Sequence, residues 1–227
     1  NKWGEPTDGE DGGDVDLYAD VHVGRACVDN TNDVSYFVDK TVNYINKDPE
    51  DEYLTQACFL GEYMGNHGIA TWGGNYMDQL IDDCSDDGYT TYGVPSANYT
   101  IIKLYDRDWE GNDWPKSELM NTIDDGVHFI NHLGHSYYEY NMKMYYEDVY
   151  GLSNTEYCFI YSQGCMAGGF DVDYVDCIAE HFTVKTDTGA FAGIWNARYG
   201  WFWSDSTDGD SQRFHREFWD AVFKENI

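Results

Sequence analysis

A chain of 227 residues with 13 basic against 42 acidic side chains carries a formal net charge of −29. That balance excludes nucleic acid as a partner, because phosphate binding needs a basic surface, and the 20 tyrosines exclude a disordered acidic tail. No apolar run reaches the roughly eighteen residues of a membrane span, and the length suits one α/β domain, taken as 1–227.

Residues 1–16 read as an acidic loop at a processed or truncated start, with Asp8, Glu10, Asp11, Asp14 and Asp16 crowded where no apolar period exists. Such a loop is either solvated surface or an oxygen-rich calcium site. Leu17, Ala19, Val21 and Val23 then alternate as a strand closed by Gly24. Val34, Phe37, Val38, Val42 and Ile45 fall on one face of a helix. A second strand spans 57–60 and stops at Gly61-Glu62. A helix is predicted over 75–84, with Tyr76, Met77, Leu80, Ile81 and Cys84 on one side, then a strand over 99–104. Pro115 suits the first turn of a helix ending near Gly126. Strands over 127–133, 157–162 and 190–195 and helices over 174–184 and 211–223 complete the alternation. The class is α/β: a mostly parallel sheet with helices on both faces.

Two of these strands end in chemistry. Val127 to Leu133 stops at Gly134-His135-Ser136, and Tyr157 to Ser162 stops at Gln163-Gly164-Cys165. In open α/β sheets ligands bind outside the carboxyl ends of the strands. A histidine and a cysteine, the pair used for thiol nucleophilic catalysis, are thus delivered to one rim. Cys165 would be the nucleophile and His135 the proton carrier. His132 competes as the base, but its position within the strand favours His135. Glu62, at another strand end, reads either as a carboxylate reaching the same rim or as a surface glutamate.

The segments Asn131-His132-Leu133-Gly134-His135-Ser136 and Gly164-Cys165 resemble the gingipain-type cysteine peptidases, family C25 of the caspase-like clan. The likeness extends to Val23-Gly24-Arg25, Gly61-Glu62 and Tyr105-Asp106. Ser136 stands where that family has glycine and Gly164 where it has alanine. The resemblance implies a caspase-like fold and a secreted endopeptidase acting on protein substrates. It assigns catalysis to Cys165, His135 and Glu62, and an oxyanion hole to the backbone N–H groups of Cys165 and Ser136. Gly134, Gln163 and Gly164 would line the substrate cleft, and Trp201 would wall the pocket. It also implies a preceding subdomain as a partner of this chain. Cleavage after arginine or lysine is expected, yet Tyr76 aligns with the family's acid, and Asp78 is the nearest carboxylate.

Calcium is the expected structural cofactor, at residues 8–16 or in the Asp205, Asp208, Asp210 loop. The stretch from Asp106 is not an EF-hand, since Ser117 holds the twelfth position. The six cysteines show no metal spacing, and a free Cys165 leaves an odd number for disulfides. A second reading stays open: a non-catalytic, calcium-dependent surface module on the same fold.

Overall fold

The computed structural model describes residues 23–86 and 89–224. The acidic stretch 1–16 and nearly all of the strand expected at 17–23 lie outside these residues. Five parallel strands form the central sheet: β1 (Gln56–Gly61), β2 (Thr100–Tyr105), β3 (Phe129–Leu133), β4 (Cys158–Ser162) and β5 (Ala190–Trp195). Their order is β2-β1-β3-β4-β5. The order reverses between β1 and β3, so this is a doubly wound sheet whose switch point opens there. All five predicted strands within the described residues are present to within two residues.

Burial on both faces follows from alternation. Cys58, Leu60, Ile130, Cys158 and Ile160 point to one side, against Leu119, Ile123 and Phe182. Ala57, Phe59, Phe129, Leu133 and Tyr161 point to the other, against Tyr76, Met77 and Trp219. The main helices are α1 (Thr31–Ile45), α2 (Gly73–Met77), α3 (Lys116–Asp124) and α4 (Asp210–Lys224). Between β3 and β4 the tyrosine-rich segment folds as an antiparallel ribbon of Ser136–Tyr137, Tyr140–Asn141 and Met144–Tyr145.

Three helices depart from expectation. In α1 the predicted apolar face is turned outward: Val34, Val38, Val42 and Ile45 are exposed, while Asp33 and Lys40 are buried. The cause is a demand for donors. Lys40 Nζ donates to the carbonyls of Phe182 at 2.8 Å, Thr188 at 2.5 Å and Ala190 at 3.4 Å, where the 178–185 helix ends. The helix predicted over 75–84 stops early. Asp82 donates its N–H to the Val94 carbonyl, and Val94 donates to Leu80, which redirects the chain through a left-handed Asp82 (φ 60°). Cys84 then lies in a short antiparallel pair, Cys84–Asp86 with Tyr89–Thr91. The helix expected over 174–184 is only one α turn, Ile178–Glu180, running into a π turn, His181–Lys185.

Candidate active site

Glu62, His135 and Cys165 each follow the carboxyl end of one of three neighbouring strands, β1, β3 and β4. Leu60 of β1 pairs with His132 of β3, which pairs with Ser162 of β4. Residues of equal parity share a face, so Glu62, His132 and Ser162 form a row across three neighbouring strands. His132 is fully buried, with Nδ1 2.8 Å from Ser162 Oγ and Nε2 3.0 Å from Glu62 Oε1. Ser162 Oγ also accepts the Gly164 N–H at 3.2 Å. The competing base is therefore buried beneath the rim, with both ring nitrogens bonded.

His135 and Cys165 emerge above this row, each three residues beyond the paired positions His132 and Ser162. The His135 backbone N–H donates to Glu62 Oε2 at 2.9 Å. Its exposed ring donates from Nε2 to the Tyr63 carbonyl at 3.1 Å. A carbonyl only accepts, so Nδ1 is the unprotonated nitrogen of the neutral ring. Glu62, 3% exposed, is thus no surface glutamate. It holds the backbone of His135 and the ring of His132, whereas the ring of His135 is oriented by Tyr63. Cys165 is half-buried, and its thiol lies 3.9 Å from the Gly200 carbonyl.

The glycines expected in the cleft make room instead of contact. A Cβ on Gly134 would strike the Glu62 carboxyl group and the His132 ring. Gln163 points away from the rim: it is buried, with its side chain 2.8 Å from His215 Nδ1. Burial pushes that imidazole down to about 3, so it is a neutral packing partner. Trp201 is 62% exposed and follows Gly200, which places an open aromatic next to the thiol's neighbour. Tyr63, Ser162 and Asn196 escaped the sequence reading. Asn196 Nδ2 donates to the carbonyls of Gln163 at 3.0 Å and Gly164 at 3.3 Å, bracing the turn before Cys165. Each of the three sits at or just past a strand end, the one signal that pointed to them.

Two expected groups are already spoken for. Asp78 pairs with Lys103 at 2.8 Å and with Arg107. Burial alone would raise its carboxyl, but hydrogen bonds from these two cations outweigh that and hold it below the usual range. It is not a free acid at a pocket floor. Asp208 is bound by Arg213 at 2.8 Å and Arg216 at 3.2 Å, so Asp205, Asp208 and Asp210 do not fit a calcium ion. Among the described residues no group of three or more His, Cys, Asp or Glu side chains is arranged to hold a metal.

A doubly wound α/β protein with a thiol and an imidazole at its switch-point rim is the class that fold and site define. The chain belongs to peptidase family C25, whose profile matches residues 6–227. No curated protein matches the sequence significantly. Among solved structures it is similar to the Arg-specific cysteine proteinase gingipain R (RgpB), at 20% identity and a TM-score of 0.64, over 86% of this chain and 42% of that one. It is also similar to the complex of Porphyromonas gingivalis RgpB pro- and mature domains, at 21% identity and a TM-score of 0.59, over 82% and 43% of the two chains. A structure described only as a protease aligns at 19% identity and a TM-score of 0.58, over 75% of this chain and 35% of that one. The chain thus spans less than half the length of these relatives.

Proposed function

We propose that this protein is a secreted cysteine endopeptidase working through a Cys165–His135 dyad. The observation that carries the proposal is the shared register: thiol and imidazole leave adjacent parallel strands at the same height, joined by a hydrogen bond from Ser136 to the Cys165 carbonyl. In the reaction the Cys165 thiolate attacks the scissile carbonyl carbon, and the N–H groups of Cys165 and Ser136 receive the oxyanion. His135 passes its proton to the departing amine, which leaves a thioester. Water, deprotonated by the same imidazole, then releases the acid and restores the thiol. Glu62 acts one step removed, by holding the His135 backbone.

Four of the other five thiols are made less reactive by burial. Burial pushes Cys158 up to about 12 and raises Cys58, Cys177 and Cys27, and the thiolate is the reactive form. Iodoacetamide at neutral pH is expected to alkylate Cys165 before these four, read by peptide mass mapping. Cys165→Ala should abolish casein hydrolysis, and His135→Ala should lower it by about 100-fold or more. A fully active Cys165→Ala, or alkylation spread evenly over the cysteines, sinks the dyad and favours the non-catalytic module.

Preference for arginine or lysine before the cut is supported by the −29 charge, whose field draws cationic peptides, and by the Arg-specific relative. Asp78 does not carry it, for the reason given above. Profiling with a peptide library tests it, and efficient cleavage after aspartate or asparagine overturns it. Calcium rests on residues 8–16 alone. A relative solved as pro- and mature domains supports a second segment of the same precursor as a partner.

A further inference from the structure

Outside the reacting groups, the turn bearing His135 and the turn bearing Cys165 meet at one point. Ser136 Oγ donates to the Cys165 carbonyl at 2.6 Å. Directly opposite lies Gly164, where an added Cβ would stand 2.7 Å from Ser136 Cβ and closer still to its hydroxyl. Asn141 Oδ1, 3.3 Å from the same point, closes the space behind. One small volume therefore separates the two turns, and the Ser136 hydroxyl fills it.

The peptide unit after the nucleophile needs such a brace. Met166 has a left-handed backbone (φ 59°), an uncommon conformation for a residue other than glycine. Its N–H donates to the Arg198 carbonyl at 2.6 Å. The Cys165–Met166 peptide is thus pinned at both ends, its C=O by Ser136 and its N–H by Arg198. Fixing that plane fixes the backbone from which the thiol projects.

We infer that Ser136 and Gly164 are a matched pair: the Ser136 hydroxyl is a positioning group that sets Cys165 against His135, and Gly164 is the space that admits it. The pair rests on the peptidase reading above. It adds that the two positions are coupled, so that either a hydroxyl at 136 or a methyl at 164 occupies the shared volume, but not both.

The test is a set of three variants: Ser136→Ala, Gly164→Ala, and the double Ser136→Gly/Gly164→Ala. Each is measured for kcat and KM on fluorescent casein, for the pH profile of Cys165 alkylation by iodoacetamide, and for Tm. Because misplacing a reacting group by an ångström costs up to about 100-fold, kcat should fall about 10-fold in Ser136→Ala and about 50- to 100-fold in Gly164→Ala. KM should stay within about 2-fold of wild type in both, and the alkylation profile should move to higher pH. The double variant should recover at least about 5-fold over Gly164→Ala, a non-additivity expected only of groups in contact. If Gly164→Ala fails to fold, Ser136→Ala and the double variant still decide the matter. Unchanged kcat and pH profile in the single variants, with only Tm moved, would overturn the positioning role while leaving the peptidase standing. A double variant worse than Gly164→Ala would overturn the coupling. A wild-type chain that leaves casein intact overturns both readings.

Discussion

At the scale of single residues, the site is organised by which histidine is hidden. His132 lies between Glu62 Oε1 and Ser162 Oγ with none of its surface exposed. Removing one partner from such a buried set leaves the others unsatisfied, so His132→Gln should cost about 1–3 kcal/mol in urea unfolding. Activity per folded molecule should fall less than in His135→Ala, whose ring meets solvent. A dead but fully stable His132→Gln would reverse the assignment of the base. Gly134→Ala drives a methyl into the same carboxyl and ring, and should destabilise by about 1–3 kcal/mol through overpacking. Parity along the strand and the glycine after it made it legible in the sequence that the two histidines take different surroundings, one buried and one exposed. The partners of Glu62 were not legible. Whether a carboxylate meets a ring or a backbone N–H depends on ångström distances between strands 70 residues apart, which no local pattern encodes.

Among the elements, α1 shows most plainly where a periodic pattern misleads. Its valines mark one face, and hydrophobicity alone turns that face inward. The structure turns it outward, with Lys40 donating inward to carbonyls of the π turn (Phe182), of the loop after it (Thr188) and of the start of β5 (Ala190). The five strands of the central sheet were legible, since a strand buried on both sides shows as a continuous apolar run between glycines, whereas the short antiparallel strands at 84–91 and 136–145 were not. Lys40 also gives the helix a pH signature. Burial pushes its ammonium from 10.5 down to about 7. In that interval the unfolded chain binds the proton that the folded chain has lost. The contribution of Lys40 to stability therefore rises with pH between about 7 and 10.5, and is lost as pH falls through about 7. Chemical denaturation of wild type and Lys40→Met at several pH values should show their difference moving in favour of wild type as pH is raised. A difference independent of pH counts against the depressed ammonium.

For the molecule as a whole, 42 acidic residues against 13 basic ones make self-repulsion a standing cost of the compact state. Raising sodium chloride from about 0.02 to about 0.5 M should raise Tm, as screening shortens the reach of that repulsion. Calcium compared at equal ionic strength separates a bound ion from screening: a further rise supports a site at residues 8–16, and no further rise removes it. The same scale explains what the sequence could show of the centre. Its members were legible one at a time, as strand ends, because each is set by local pattern. Their convergence is a property of the whole sheet. The bonds that build the centre span 29 residues from Ser136 to Cys165, 30 from His132 to Ser162 and 73 from Glu62 to His135. Parallel strands have no hairpin shortcut, so contacts of this range form slowly and only after long loops close. On the proposed dyad, completion of the sheet and onset of catalysis would become one event. A chain still emerging from the ribosome, or refolding among its own copies, would then hold no working blade with which to cut its unfinished neighbours.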